Sequence, residues 1–99
     1  MVSRISIDRT AIEAFCHRHH VRRLSLFGSV LRADFGPRSD VDVLVEFEPG
    51  HVPGLAFFRL QAELSDILGR QVDLSTPGFL SRYFRDAVLA EAELVYDAA

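Results

Sequence analysis

Apolar residues recur at helical spacing through Ile7, Ala11, Ala14 and Phe15, and Asp8 and Thr10 both stand where a helix N-cap belongs. The pattern therefore predicts a first helix from residue 8 or 10 to residue 20. Its basic end, His17-Arg18-His19-His20, suits the negative pole of a helix. Residues 21–27 read as a strand, broken by Gly28-Ser29; one helical turn over 30–33 and a turn at Gly36-Pro37-Arg38 follow. Residues 41–47 give the clearest strand signal. Val41, Val43, Val45 and Phe47 fall on one face, and Asp40, Asp42, Leu44 and Glu46 on the other. After a Gly- and Pro-rich loop over 48–54, residues 55–68 predict an amphipathic helix with Leu60, Leu64, Ile67 and Leu68 inward and Gly69 as its stop. Residues 71–74 read as a short third strand and 75–78 as a polar break. A last helix is expected over 81–92, with Leu94-Val95-Tyr96 adding an edge strand.

This alternation of strands and helices predicts an α/β (α+β) fold, a small mixed β-sheet backed by helices largely on one side. Neither repeat nor linker interrupts the 99 residues, so the expectation is a single domain over 1–99. Hydrophobic residues at 48% and charged residues at 25% are globular proportions and argue against disorder. With no apolar run of membrane-spanning length and no signal-like stretch at the start, the expected location is cytoplasmic. A net charge of −3 disfavours a nucleic-acid backbone as partner. All eleven basic side chains are Arg, so lysine chemistry is excluded and any side chain holding phosphate is an Arg, whose planar fork suits oxyanions.

Candidate chemistry begins with Asp40 and Asp42. Residues two apart on a strand share a face, with Cα atoms about 6.5–7 Å apart. Two such carboxylates repel unless a cation stands between them, and Mg²⁺ prefers one or two carboxylates plus substrate phosphates. Asp73 lies on the third strand between Val72 and Leu74. If those two point into the core, Asp73 points the other way, toward Asp40 and Asp42 where the strands are neighbours. Three converging carboxylates could hold two metal ions roughly 3.5–4 Å apart. Upstream, Gly28-Ser29 stands between a strand and a helix start, where backbone N–H groups and the Ser hydroxyl bind anions, and Arg32 falls on the same helical side.

Gly28-Ser29-x-x-Arg32 followed by Ser39-Asp40-x-Asp42-x-Leu44-Val45 resembles the signature of the DNA polymerase beta-like nucleotidyltransferase superfamily, nearest to its smallest branch, the minimal nucleotidyltransferases. The resemblance covers nearly the whole chain. It implies the polymerase beta-like nucleotidyltransferase fold, ATP as substrate and Mg²⁺, two ions, as cofactor. By the same resemblance Gly28 and Ser29 bind the β,γ-phosphates, with Arg32 and Ser39 at motif positions beside them. Asp40, Asp42 and Asp73 become metal ligands and catalytic residues, with Asp73 the base for the acceptor hydroxyl. Ala33 departs from the family, where many relatives carry Gly after the Arg.

Members of this branch pair with HEPN-domain proteins in toxin–antitoxin modules. The resemblance thus implies an antitoxin that moves AMP from ATP onto a tyrosine hydroxyl of a HEPN-type toxin. A chain this short has no room for an acceptor-holding domain, so a partner is expected to bring the acceptor. The alternative is a non-catalytic antitoxin that masks its partner by binding alone, although a pure binding surface does not need three carboxylates.

Three further motifs are weaker. Cys16 and His20 are four apart, but a zinc site needs further ligands that the sequence does not offer. Arg18, Arg22 and Arg23 form a basic cluster suited to a nucleotide or a partner. Phe57-Phe58 and Phe79-Leu80-x-x-Tyr83-Phe84 are core by spacing, with a partner-facing patch rimmed by Arg82 and Arg85 as the other reading.

Overall fold

The structure, a computed structural model, describes residues 7–28, 36, 40–51, 53–79, 83 and 85–98. Helix α1 covers Arg9–Arg18, and Asp8 is its N-cap, its carboxylate accepting from the Ala11 N–H at 3.1 Å. Strand β1 is Val21–Phe27 and β2 is Val41–Phe47. A 3₁₀ turn at Gly54–Ala56 runs into helix α2, Phe57–Leu68. Strand β3 is Val72–Ser75; a 3₁₀ turn at Pro77–Phe79, helix α3 at Arg85–Glu91 and strand β4 at Glu93–Asp97 complete the described elements.

The four strands form one mixed sheet in the order β3-β2-β1-β4, with β2 and β3 parallel and the other neighbours antiparallel. Helix α2 is the crossover that a parallel β2–β3 pair requires. Ile12, Phe15 and Cys16 of α1 and Leu60 and Leu64 of α2 pack with Leu24, Leu26, Val41, Val43, Val45, Val72 and Leu74, all of them buried. One face of the sheet is thereby sealed. Ile67 and Leu68 pack at the border of this core. Among the described residues, no helix is long and apolar enough to cross a membrane.

The differences from the sequence pattern have physical causes. The first helix stops at Arg18 rather than 20, because His19 leaves helical geometry and His20 adopts φ +56°, turning the chain into β1. Its inward stripe is Ile12, Phe15 and Cys16, whereas Ala14 is exposed, since the larger side chains take the core. The second helix tightens to 3₁₀ over its first three residues, and β3 begins and ends one residue later than predicted. Of the predicted last helix over 81–92, the structure describes Arg85–Glu91 as helical; residues 80–82 and 84 lie outside the described set, as does the predicted turn at 30–33. The second sheet face is not open along its length: Leu44, assigned to the polar side, is 2% exposed and its neighbour Ser25 is 9% exposed.

Candidate active site

Strand β1 ends at Phe27, opposite Asp42, and Asp42 is in turn the register partner of Asp73 across the parallel β2–β3 pair. Register partners on neighbouring strands lie about 4.8 Å apart and present their side chains to the same face. Asp42 and Asp73 are thus side by side on the face away from the core. Asp42 is half-buried and Asp73 exposed. Asp40 stands immediately before β2 and is exposed; the bond from the Val41 N–H to the Gln71 carbonyl, 2.9 Å, pins that end of β2 to the entry of β3.

Gly28 follows β1 directly with φ +71°, a left-handed conformation that an L side chain rarely adopts. A Cβ built there would lie 2.2 Å from an Asp42 carboxylate oxygen. The missing side chain of Gly28 is what gives the carboxylate its place, so the backbone beyond β1 and the first acidic strand meet in direct contact.

The position of Asp73 depends on β3, an edge strand whose outward N–H groups need partners. Helix α2 supplies them. Ser65 Oγ accepts from the Val72 N–H at 3.0 Å, and Gln61 Oε1 accepts from the Leu74 N–H at 3.0 Å. The Ser65 hydroxyl also donates to the Gln61 carbonyl at 2.9 Å. Asp73 therefore sits between two backbone groups anchored by the same helix. Gly69, at φ +68°, closes α2 and lets the Arg70 N–H reach the Ser65 carbonyl at 3.2 Å.

Gly28, Asp40, Asp42 and Asp73 thus gather at one end of three adjacent β1–β2–β3 segments. Ser29, Arg32 and Ser39 lie outside the described residues. Among the described residues, no three His, Cys, Asp or Glu side chains form a cluster that could hold a metal ion by themselves. The donor chemistry still fits Mg²⁺, a hard cation that takes one or two carboxylates and completes its shell with water and substrate phosphates. Asp42 and Asp73 are such a pair, with Asp40 one step along the strand.

The other motifs resolve differently. Cys16 is buried in the core, and burial followed by the charge of Glu13 pushes its thiol up to about 12, so it packs as an apolar group away from exposed His20. His20 stacks instead on His51, ring centroids 3.9 Å apart. The three arginines are not one cluster: Arg18 pairs with Glu63 on α2, Arg22 is exposed, and Arg23 lies between Glu46 at 4.0 Å and Asp97 at 3.8 Å. Phe57 packs against the core, while Phe58 is 70% exposed beside Leu55 at 89%; Tyr83 is also exposed. Leu80, Arg82 and Phe84 lie outside the described residues.

Sequence reasoning missed a cavity of about 530 Å³ on the same sheet face, lined in part by Arg23, Ser25, Leu44 and Glu46. The i, i+2 spacing of Asp42, Leu44 and Glu46 was its only linear trace.

Residues 8–95 match the family model described as a nucleotidyltransferase domain. Protein adenylyltransferase MntA of Thermococcus cleftensis is 38% identical over 79 residues, which span 79% of this chain and 78% of that protein. A solved minimal nucleotidyltransferase is 39% identical with a TM-score of 0.70, covering 85% of each chain. The fold is also shared, at 20% identity and a TM-score of 0.64, with a chain in the complex of a tri-AMPylated Shewanella oneidensis HEPN toxin with its MNT antitoxin; 91% of this chain and 70% of that one are covered.

Proposed function

Since the chain belongs to the nucleotidyltransferase domain family, in its minimal branch, and is an enzyme of that class, we propose that it is an antitoxin that transfers AMP from ATP to a tyrosine hydroxyl of a HEPN-type toxin. The Shewanella oneidensis complex, a tri-AMPylated HEPN toxin with an MNT antitoxin, supports the kind of acceptor and partner. The observation that carries the reading is the pairing of Asp42 with Asp73 in register, with Gly28 in contact with the first of them.

In the proposed reaction the acceptor oxygen attacks the α-phosphorus of ATP. The new oxygen–phosphorus bond forms as the bond between the α-phosphorus and its bridging oxygen breaks, and pyrophosphate leaves with that oxygen. The proton of the acceptor hydroxyl passes to the Asp73 carboxylate, which is exposed to an incoming partner. Gly28, with Ser29, Arg32 and Ser39, binds the phosphates, and close approach of the backbone at Gly28 is what a phosphate requires. Asp40, Asp42 and Asp73 would hold Mg²⁺, which when bound neutralises charge on the phosphates. The protein's own contribution is orientation, which in phosphoryl transfer supplies much of the rate.

The test is mass spectrometry of the toxin co-expressed with this chain. A gain of one or more AMP units is expected, lost in Asp42→Asn and Asp73→Asn while both variants remain folded. A toxin that is bound and silenced without added mass would replace the transferase reading with simple masking.

A further inference from the structure

Beyond Asp42, the same sheet face carries a cavity to which the transfer step gives no role. The next pair along the strands, Leu44 and Ser25, faces away from the α1–α2 core and is nevertheless buried. Leu89 of α3 and Ala92 just after it stand over that pair and, with it, line the space of about 530 Å³. Glu46 and Asp97, with Arg23 between them, line its end away from Asp42, their side chains a third to two-fifths exposed.

We propose that this cavity holds the adenine ring of the nucleotide and that Glu46, Asp97 and Arg23 read its edge. The inference rests on the reading above, in which the phosphates lie at Gly28 and Asp42. Four features carry it. The cavity has the volume of a small-ligand site, which runs to about 300–1,000 Å³. It starts one residue pair from Asp42 and reaches Glu46 two pairs on, a span of about 13 Å at strand spacing, enough for a nucleoside to extend from its phosphate. Its walls are aliphatic, suited to the faces of a flat heterocycle, and the Ser25 hydroxyl adds one polar group. Its outer end sets two carboxylates against one guanidinium, a formal charge of −1 that repels phosphate and keeps the triphosphate at the other end. A carboxylate accepts from the exocyclic amine of adenine, and the guanidinium donates to a ring nitrogen.

Calorimetric titration of the full chain with magnesium tripolyphosphate, a non-hydrolysable magnesium ATP analogue and the triphosphate of purine riboside, which lacks only the amine, tests this. Ala92→Phe, or Leu89→Trp should the first not fold, fills the cavity and is expected to weaken the ATP analogue about tenfold or more while tripolyphosphate binds as before. The native chain should prefer the ATP analogue to the purine riboside compound by about tenfold, and Glu46→Ala with Asp97→Ala, which remove both acceptors, should erase that preference. A folded cavity-filling variant with native affinity for the ATP analogue, or a native chain indifferent to the amine, overturns the proposal and leaves the phosphate site standing. Weakened toxin binding with unchanged ATP binding assigns the cavity to the acceptor and overturns it as well. Failure of the native chain to bind tripolyphosphate, or unchanged binding in Asp42→Asn, removes the phosphate site itself and the proposal with it.

Discussion

At the residue scale, Gly28 joins two demands that are usually separate: a left-handed backbone and a carboxylate occupying the place of its missing side chain. Gly28→Ala has to meet both. The conformational cost for an L residue is about 1–2 kcal/mol, a loss of roughly 4–8 °C in Tm per kcal/mol for a domain this size. The new methyl also displaces Asp42, so AMP transfer should fall at least a hundredfold. Gly50 separates the two effects, because it has φ +81° but nothing within 4 Å of a built Cβ. Gly50→Ala should lower Tm by a similar amount and leave transfer intact; thermal melts and transfer assays on the pair check this. Cys16 gives a second residue-scale expectation. Its folded-state thiol is raised from 9.0 to about 12, so the stability it contributes is present below pH 9 and lost as pH rises from about 9 to 12. The native protein should resist iodoacetamide at pH 8 and react once unfolded, and Cys16→Ala should show a smaller drop in Tm between pH 8 and 11.

At the element scale, β3 is an edge strand only four residues long, and its outward N–H groups are paired by two side chains of α2. Removing one acceptor strands a backbone donor, which costs about 1–3 kcal/mol where the group is buried. Ser65→Ala and Gln61→Leu should each lower stability within that range and speed amide exchange at Val72 or Leu74 respectively. Transfer should weaken too, because Asp73 rides on that strand. None of this anchoring was legible in the sequence, where Ser65 and Gln61 are two polar positions on a helix whose apolar spacing says only that Leu60 and Leu64 point inward. The alternation around Asp42 was legible because a strand's period of two writes each face into neighbouring residues, and the turn at Gly28 was legible as a strand ending in Gly. Pairing was not, since it joins residues far apart in the chain: Asp42 beside Asp73 was a condition on strand order that no local pattern could fix. Leu44 shares the face of Asp42 and Glu46 by period and is nevertheless buried, because its cover comes from elements about forty-five residues downstream.

At the scale of the whole molecule, the helical layer is tied together at the end of α1, where Arg18 and His19 both meet Glu63 of α2, the imidazole Nε2 lying 3.0 Å from the carboxylate. His19 also packs its ring against Phe15 of the core, centroids 4.9 Å apart. Burial, then the neighbouring charges of Arg18 and His20, holds the His19 imidazole below its ordinary value of 6.5. A group whose folded-state pKa is depressed binds protons more readily when the chain is unfolded, so stability rises with pH through that window and is lost as pH falls below about 6.5. Glu63 opposes this shift, but its charge is already shared with the Arg18 guanidinium. The neutral imidazole meets the need by donating from Nε2 to the carboxylate without adding a second cation beside Arg18. His19→Gln keeps a donor at that place and removes the titration. Thermal melts from pH 7.5 to 5.5 should show a falling Tm in the native chain and a flatter profile in the variant; equal slopes would mean that the junction of α1 and α2 does not sense protons.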